Sequence, residues 1–395
     1  MLALGRLMAE LARKLGQPAV VGEILAGLLL GPTFLGMVSP DSFAFLFPKT
    51  GASMLALDAF TKVAVVLLLF IAGLEVDLHI VFQQGKQALS TSFFGLIIPF
   101  FLGFIIPYLL PALFRDVSQT DVFLFSLFMG TAMAISALPV IVRILLDLKI
   151  FKTKIGMLVV ASAMIDDVIG WMIFSIILGM INKGSHFSFA YTFSMTLGFT
   201  IFMLTVGRWL LNRILPWVNR NLAWPGGLLS LALALCFVAS AFTESIGIHA
   251  IFGAFMTGVA LGDSKHLSER AKEIVHQFIN NIFAPLFFVG IGLKVNFLAN
   301  FDAMLTAIIL VIAFAGKLIG AGLGARLGGF SKMESVAAGF GMSARGAMEI
   351  ILGLIALEAG LISETIFVSL VIMALVTSMT SGPMMKWALA KAESA

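Results

Sequence analysis

Cysteine is all but missing from this chain. Cys236 stands alone inside an apolar run, so no intrachain disulfide can form and the thiol reads as a small packing residue. No Cys/His cluster with metal-ligand spacing occurs, and no cofactor is expected. The opening MLALGRLMAELARKLGQP lacks a cleavage-site pattern. Charge is scarce too: Asp, Glu, Lys and Arg make up 12% of the residues, where a soluble domain carries about 25%. Apolar residues fill the space, at 60% of the chain and a mean hydropathy of +1.07. This composition implies an all-α polytopic membrane protein whose first partner is the lipid bilayer. The net charge of +4 does not argue for nucleic acid as a partner, and its placement along the loops says more than its sum.

About 13 apolar runs are readable, near 1–14, 18–37, 54–75, 87–112, 121–147, 153–182, 187–212, 223–244, 247–262, 276–295, 302–325, 334–357 and 363–388. Most are long enough to cross a hydrocarbon core of about 30 Å as a helix. Nearly the whole chain lies in them, so residues 1–395 are expected to form a single transmembrane domain. The first run is short for a crossing, which implies a stunted helix or a truncated start. Loops on one side carry Arg13, Lys14, Lys86, Lys149, Lys152, Lys154, Arg208, Arg213, Arg220, Lys265, Arg270, Lys272, Arg326 and Lys332, against Lys49, Arg115, Lys183 and Lys294 on the other. The positive-inside rule then puts the N-terminus outside and the C-terminus, with Lys386 and Lys391, in the cytoplasm.

The chain also repeats itself. GQPAVVGEILAGLLLG (16–31) aligns without gaps on GIHAIFGAFMTGVALG (247–262), pairing Gly16, Gly22, Gly27 and Gly31 with Gly247, Gly253, Gly258 and Gly262. LFIAGLEVDL (69–78) echoes FFVGIGLKVNF (287–297) through a shared Gly-Leu-x-Val. Each half has about six spans, and the single run near 187–212 reverses the second half. Two inverted six-helix repeats are the plan of secondary transporters, whose sites lie near the midplane.

Several polar residues share that depth. Asp166 and Asp167 fall at the middle of the sixth run, Ser136 and Pro139 in the fifth, Lys317 in the eleventh, and Arg345 with Glu349 in the twelfth. Unpaired, these five charges would cost about 12–17 kcal/mol, more than the net stability of a typical domain. Ion pairs that merely tie helices together are a weaker explanation, because buried pairs seldom improve on apolar packing. GTAMAISALPVIVRIL (130–145) and GFGMSARGAMEIIL (339–352) read as two discontinuous crossing helices, with Pro139 removing a backbone donor and Gly341 and Gly346 weakening the other. Unwound backbone there exposes carbonyls and helix ends that suit an ion and need compensating charge, with Thr131 and Ser136 adding hydroxyls.

Other features read more plainly. Gly316, Gly320, Gly324 and Gly328 form a smooth ridge for close packing beside Lys317. GAGLGARLGG follows no strand and has the wrong spacing for a dinucleotide fingerprint. Glu23, in the second run, suggests a gating or packing role. Asp58 and Lys62 stand four apart and can pair or snorkel. Glu75, Asp77, Glu364 and the cluster 263–273 read as solvated loop charge.

Neighbours on a helix point about 100° apart, so Asp166 and Asp167 should have different jobs. One carboxylate can hold a hard monovalent cation with hydroxyl and carbonyl oxygens, while the other pairs with a basic group of another helix, for which Lys317 matches in depth. A proton and a metal cation then compete for the same oxygens, and competition at an alternating site is exchange.

Taken together, GQPAVVGEILAGLLLGP, LLLFIAGLEVDL, SALPVIVRIL, ASAMIDDVIGW, IGIHAIFGAFMTGVALGD, APLFFVGIGLKVNF and GMSARGAME resemble the bacterial cation:proton antiporters of the second monovalent cation/proton antiporter family, which include NapA-type sodium/proton exchangers and Kef-type potassium systems. The resemblance covers essentially the whole length. It implies thirteen helices in a cell inner membrane, a division into a dimerisation part (1–75 and 187–262) and a mobile ion-transport part (87–182, 276–358 and 363–388), a homodimer, and an elevator-like displacement. It further implies Asp167 as the carrier of Na+ (or Li+ or K+) and H+, and Asp166 as the partner of Lys317 in a pair that a bound cation breaks. Members with Asn-Asp resemble electroneutral exchangers, so Asp166 implies two protons per sodium. Thr131, Ser136, Pro139, Arg345 and Glu349 would shape and neutralise the broken helices, although many relatives read Arg-Gly-Glu where this chain has Arg345-Gly346-Ala347 and an acid only at Glu349. The end at Ala395, without a nucleotide-binding domain, argues against a Kef-type gated mode. A sodium-coupled solute symporter of similar fold is the alternative. An intramembrane aspartyl protease is disfavoured, since its acids face each other from two helices and no Gly-x-Gly-Asp occurs.

Overall fold

The computed structural model describes residues 1–15, 17–48, 51–114, 121–181 and 189–393. Gly16 of the repeat and the loop residues Lys49, Arg115 and Lys183 lie outside the described residues. The described residues are all-helical and divide into two compact units, 1–77 with 182–300 and 78–181 with 301–395.

The first unit contains α1 (Leu2–Lys14), α2 (Ala19–Leu30), the short α3 (Leu35–Val38) and α4 (Pro40–Leu46), and α5 (Ala52–Leu74). It continues with α10 (Phe189–Phe202), a π-helical turn at Met203–Gly207, α11 (Arg208–Asn221), α12 (Gly226–Ser245), α13 (Ala250–Gly262) and α14 (Glu269–Lys294). The glycines of the repeat make two matching helix contacts. A Cβ on Gly27 of α2 would lie 2.4 Å from Val289 O and 3.0 Å from the Gly292 Cα in α14. One on Gly258 of α13 would lie 2.1 Å from Phe70 O and 3.0 Å from the Gly73 Cα in α5. Position for position these are the repeat-related residues, so α2 meets α14 as α13 meets α5, at a backbone approach that only glycine permits. The sequence-based division assigned 276–300 to the ion-transport part, but α14 packs on α1, α2 and α5 and so groups with the first unit.

The second unit contains α6 (Leu78–Leu109), α7 (Val122–Ala134), α8 (Leu138–Asp147), α9 (Lys154–Ile181), α15 (Ala303–Leu327), α16 (Lys332–Met342), α17 (Ala347–Glu358) and α18 (Glu364–Glu393). Polar caps mark helix starts: the side chain of Asp121 accepts from Phe123 N, that of Asp302 from Met304 N and Leu305 N, and Ser331 with Glu334 forms a capping box. Gly85, at φ 49°, kinks α6.

Among the described residues ten helices are long and apolar enough to cross a membrane, or eleven with the α16–α17 pair, which bends by 46°. The expected thirteen therefore depend on α1 and α13, each of 13 residues, or about 20 Å of helix. The run read as 187–212 continues as helix to Asn221, where α11 buries Leu211, Leu215 and Val218 and exposes Trp209 and Trp217 beside Arg213 and Arg220. Two charges expected to be solvated are engaged instead. Asp263 is buried against Arg208 at 2.5 Å, and half-buried Glu75 stands 3.9 Å from His276 Nδ1. Asp58 pairs with Lys294 of α14 at 3.2 Å.

Candidate functional site

The site of the second unit starts from a glycine ridge. A Cβ on Gly320 would lie 2.4 Å from Phe94 O and one on Gly324 2.5 Å from Ser90 O, so α15 lies backbone-close along α6. Lys317 is carried in with the ridge. Its Nζ donates to Asp166 Oδ2 of α9 at 2.7 Å, with both side chains wholly buried. Asp166 Oδ1 accepts a second hydrogen bond, at 2.6 Å, from Ser92 Oγ of α6. Asp167, the next residue, is also 0% exposed.

The two helix breaks meet. Residues 135–137 leave the helical conformation between α7 and α8, and 343–346 separate α16 from α17. Ser136 Oγ donates to Met342 O at 2.8 Å and Ala137 N to Ala344 O at 2.9 Å. In return Arg345 reaches the C-terminal end of α7, donating to Ala132 O at 2.5 Å and Met133 O at 2.6 Å, and also to the Glu349 carboxylate. Ser378 of α18 donates to the Arg345 carbonyl. Each break thus satisfies groups that the other helix leaves open at its end, as buried irregular backbone requires. Pro139 sits in the first turn of α8, where its missing N–H costs nothing, so it starts a half-helix rather than kinking a continuous one.

The structure therefore gathers Asp166, Asp167, Lys317, Ser136, Pro139, Arg345 and Glu349 in one unit. Thr131 belongs to it as well, but its hydroxyl donates to Leu127 O within α7 at 2.8 Å. Glu23 is buried in α2 of the first unit and joins none of the described ion pairs. A cavity of about 760 Å³ in the second unit is lined mostly by apolar side chains of α6 and α9, with Ser90, Ser92 and Thr131 among them.

The sequence family described as "Sodium/hydrogen exchanger, transmembrane" matches residues 1–391. The chain belongs to that family. It is 32% identical over 386 residues to the Na(+)/H(+) antiporter NhaS4 of Synechocystis sp., a similarity covering 97% of this chain and 94% of the relative. It is also 32% identical over 387 residues to Cation/H(+) antiporter 17 of Arabidopsis thaliana, of whose length it spans 47%. Among solved structures, the sodium proton antiporter MjNhaP1 from Methanocaldococcus jannaschii resembles it with a TM-score of 0.66 at 18% identity, over 98% of this chain and 94% of that one, which supports the fold.

Within this exchanger the residue that sequence reasoning passed over is Ser92. Its neighbours explain why: Ser126 and Thr131 bond the carbonyl four residues back, and a serine on α6 reads the same way until its partner is seen. The available signal was the run Ser90, Thr91, Ser92 in an otherwise apolar span beside the glycine ridge.

Proposed function

We propose that this exchanger swaps a monovalent cation for protons by alternating access, and that the exchange takes place at Asp166 and Asp167. The observation that carries the reading is the buried contact between Lys317 and Asp166 beside a second buried carboxylate, Asp167. A cation settling on Asp167 adds a positive charge next to this pair. The proton held there before leaves, and Lys317 gives up Asp166 because two cations compete for neighbouring carboxylates. The Asp167 proton is the first to leave; Lys317, parted from Asp166, gives up its ammonium proton as the second, so two protons move against one cation. Each cycle then carries one net charge, and 100 mV of membrane potential contributes about 2.3 kcal/mol to it.

Sodium is the first candidate for the transported ion, with Li+ and K+ as the competing ones, since carboxylate, hydroxyl and carbonyl oxygens accept all three. The lysine and arginine bias of the loops supports a C-terminus on the cytoplasmic side of a plasma membrane. A homodimer working by an elevator-like displacement of the ion-transport part completes the proposal. The test is a pH-gradient dequenching assay on proteoliposomes, adding Na+, Li+ and K+ in turn with no organic solute, with and without a clamped potential. Proton movement on addition of Na+ is the expected result. Absence of movement with every cation, or a requirement for an organic solute, overturns the reading.

A further inference from the structure

Asp166 has two carboxylate oxygens, and a different helix holds each. Lys317 of α15 takes Oδ2, and Ser92 of α6 takes Oδ1 with the shorter bond, 2.6 Å against 2.7 Å. The serine bond belongs to a register between two helices: Ser162 Oγ donates to Ala88 O at 3.2 Å, so residues 162 and 166 of α9 step along 88 and 92 of α6. Residues four apart share a helix face, which aims Ser92 at Asp166 by the same packing that aligns the helices. Ser90, two residues earlier, donates to Gly324 O at 3.1 Å and fixes α6 against the ridge that bears Lys317. Ser92 also lines the cavity whose wall near it is made of Leu89, Phe93, Leu96 and Ile165. The other two hydroxyls lining that cavity are spent elsewhere, Ser90 on Gly324 O and Thr131 on Leu127 O.

We propose that Ser92 is a positioning residue of the exchange. It holds Asp166 in the rotamer that meets Lys317, and it sustains the carboxylate's charge at the moment Lys317 lets go. The proposal rests on the reading of Asp166 and Lys317 as the pair that cation binding breaks. A hydroxyl that donates to a carboxylate favours the ionised form, so losing it tips the competition between cation and proton toward the proton. Asp167 follows Asp166 on its own helix and Lys317 reaches it from α15, while Arg345 and Glu349 of the α16–α17 break, bound to each other, act on Lys317. The stretch of α7 from 122 to 134 has no charged side chain, and on α8 Arg143 stands 3.9 Å from Asp147.

The experiment measures Na+-dependent proton exchange against pH in proteoliposomes of the full chain, for wild type, Ser92→Ala, Ser92→Thr, Asp166→Asn and the Ser92→Ala/Asp166→Asn double variant. Ser92→Ala should move the pH of half-maximal exchange toward alkaline by about one unit, with a raised KM for Na+ and little change in kcat at the optimum. Ser92→Thr, which keeps the hydroxyl, should restore the wild-type profile. In the Asp166→Asn background, Ser92→Ala should add no shift. If Ser92→Ala does not reconstitute, Ser92→Cys keeps the volume with a weaker donor and should give an intermediate shift. An unmoved profile in Ser92→Ala or Ser92→Cys, a threonine variant that behaves like alanine, or uniform loss of rate at every pH overturns the role. If Asp166→Asn itself leaves the pH and potential dependence unchanged, the reading of the pair fails and the role of Ser92 with it. A changed Asp166→Asn beside an unmoved Ser92→Ala removes Ser92 alone.

Discussion

Asp166–Lys317 and Arg345–Glu349 are both buried ion pairs of the second unit, with side-chain exposures of 0%/0% and 0%/2%, yet they are built differently. Lys317 is a point charge on a flexible stem that meets one carboxylate oxygen across two helices. It can withdraw without opening any helix end. Arg345 spreads a planar fork over Ala132 O, Met133 O and Glu349, one turn along its own chain. Withdrawing it would strip the donors from the end of α7. The difference separates a pair suited to breaking in each cycle from one that holds two broken helices together.

The largest effect should come from breaking the fixed pair. Arg345→Ala leaves a buried carboxylate and the α7 carbonyls without their donor, and should cost about 3–5 kcal/mol, read as a collapsed thermal transition in detergent. Next comes Lys317→Met, which strands Asp166 and should cost about 3 kcal/mol. Adding Asp166→Asn should recover most of that loss, whereas adding Glu349→Gln to Arg345→Ala should not, because the α7 carbonyls remain unserved. Equal recovery in both double variants would erase the distinction. Asp166→Asn alone should leave a cation-dependent proton flux that a membrane potential no longer drives, removing the contribution of about 2.3 kcal/mol per 100 mV; a flux still steered by potential contradicts the two-proton reading. A smaller loss, about 1.5 kcal/mol, is expected for Gly320→Ala, whose methyl would meet Phe94 O and push α15 off α6. Glu349→Gln keeps an acceptor for Arg345 and should cost about 1 kcal/mol or less in the same melt, with the potential dependence of exchange retained.

Much of this was legible in the sequence, for identifiable reasons. An aspartate doublet in mid-span has to be answered by a cation at the same depth, which points to Lys317. Pro139 and the glycines around Arg345 announced the two breaks, because each removes helix stability where the hydropathy demands a helix. What stayed hidden depended on partners far along the chain. Nothing in the residues around Asp263 or Asp58 names Arg208 or Lys294 as partner. The grouping of α14 with α5 in the first unit has a signal in the sequence, since 287–297 repeats 69–78. Ser92 was hidden by chemistry, since a helical serine usually spends its hydroxyl on its own backbone.

If the doublet carries the exchange, Asp167→Asn must abolish it. The variant keeps the shape of the side chain and should melt like the wild type. In proteoliposomes with an imposed pH gradient, adding Na+, Li+ or K+ should release no protons from it. Wild-type cation-dependent proton movement in a correctly folded Asp167→Asn protein would mean that the doublet is not the exchange site.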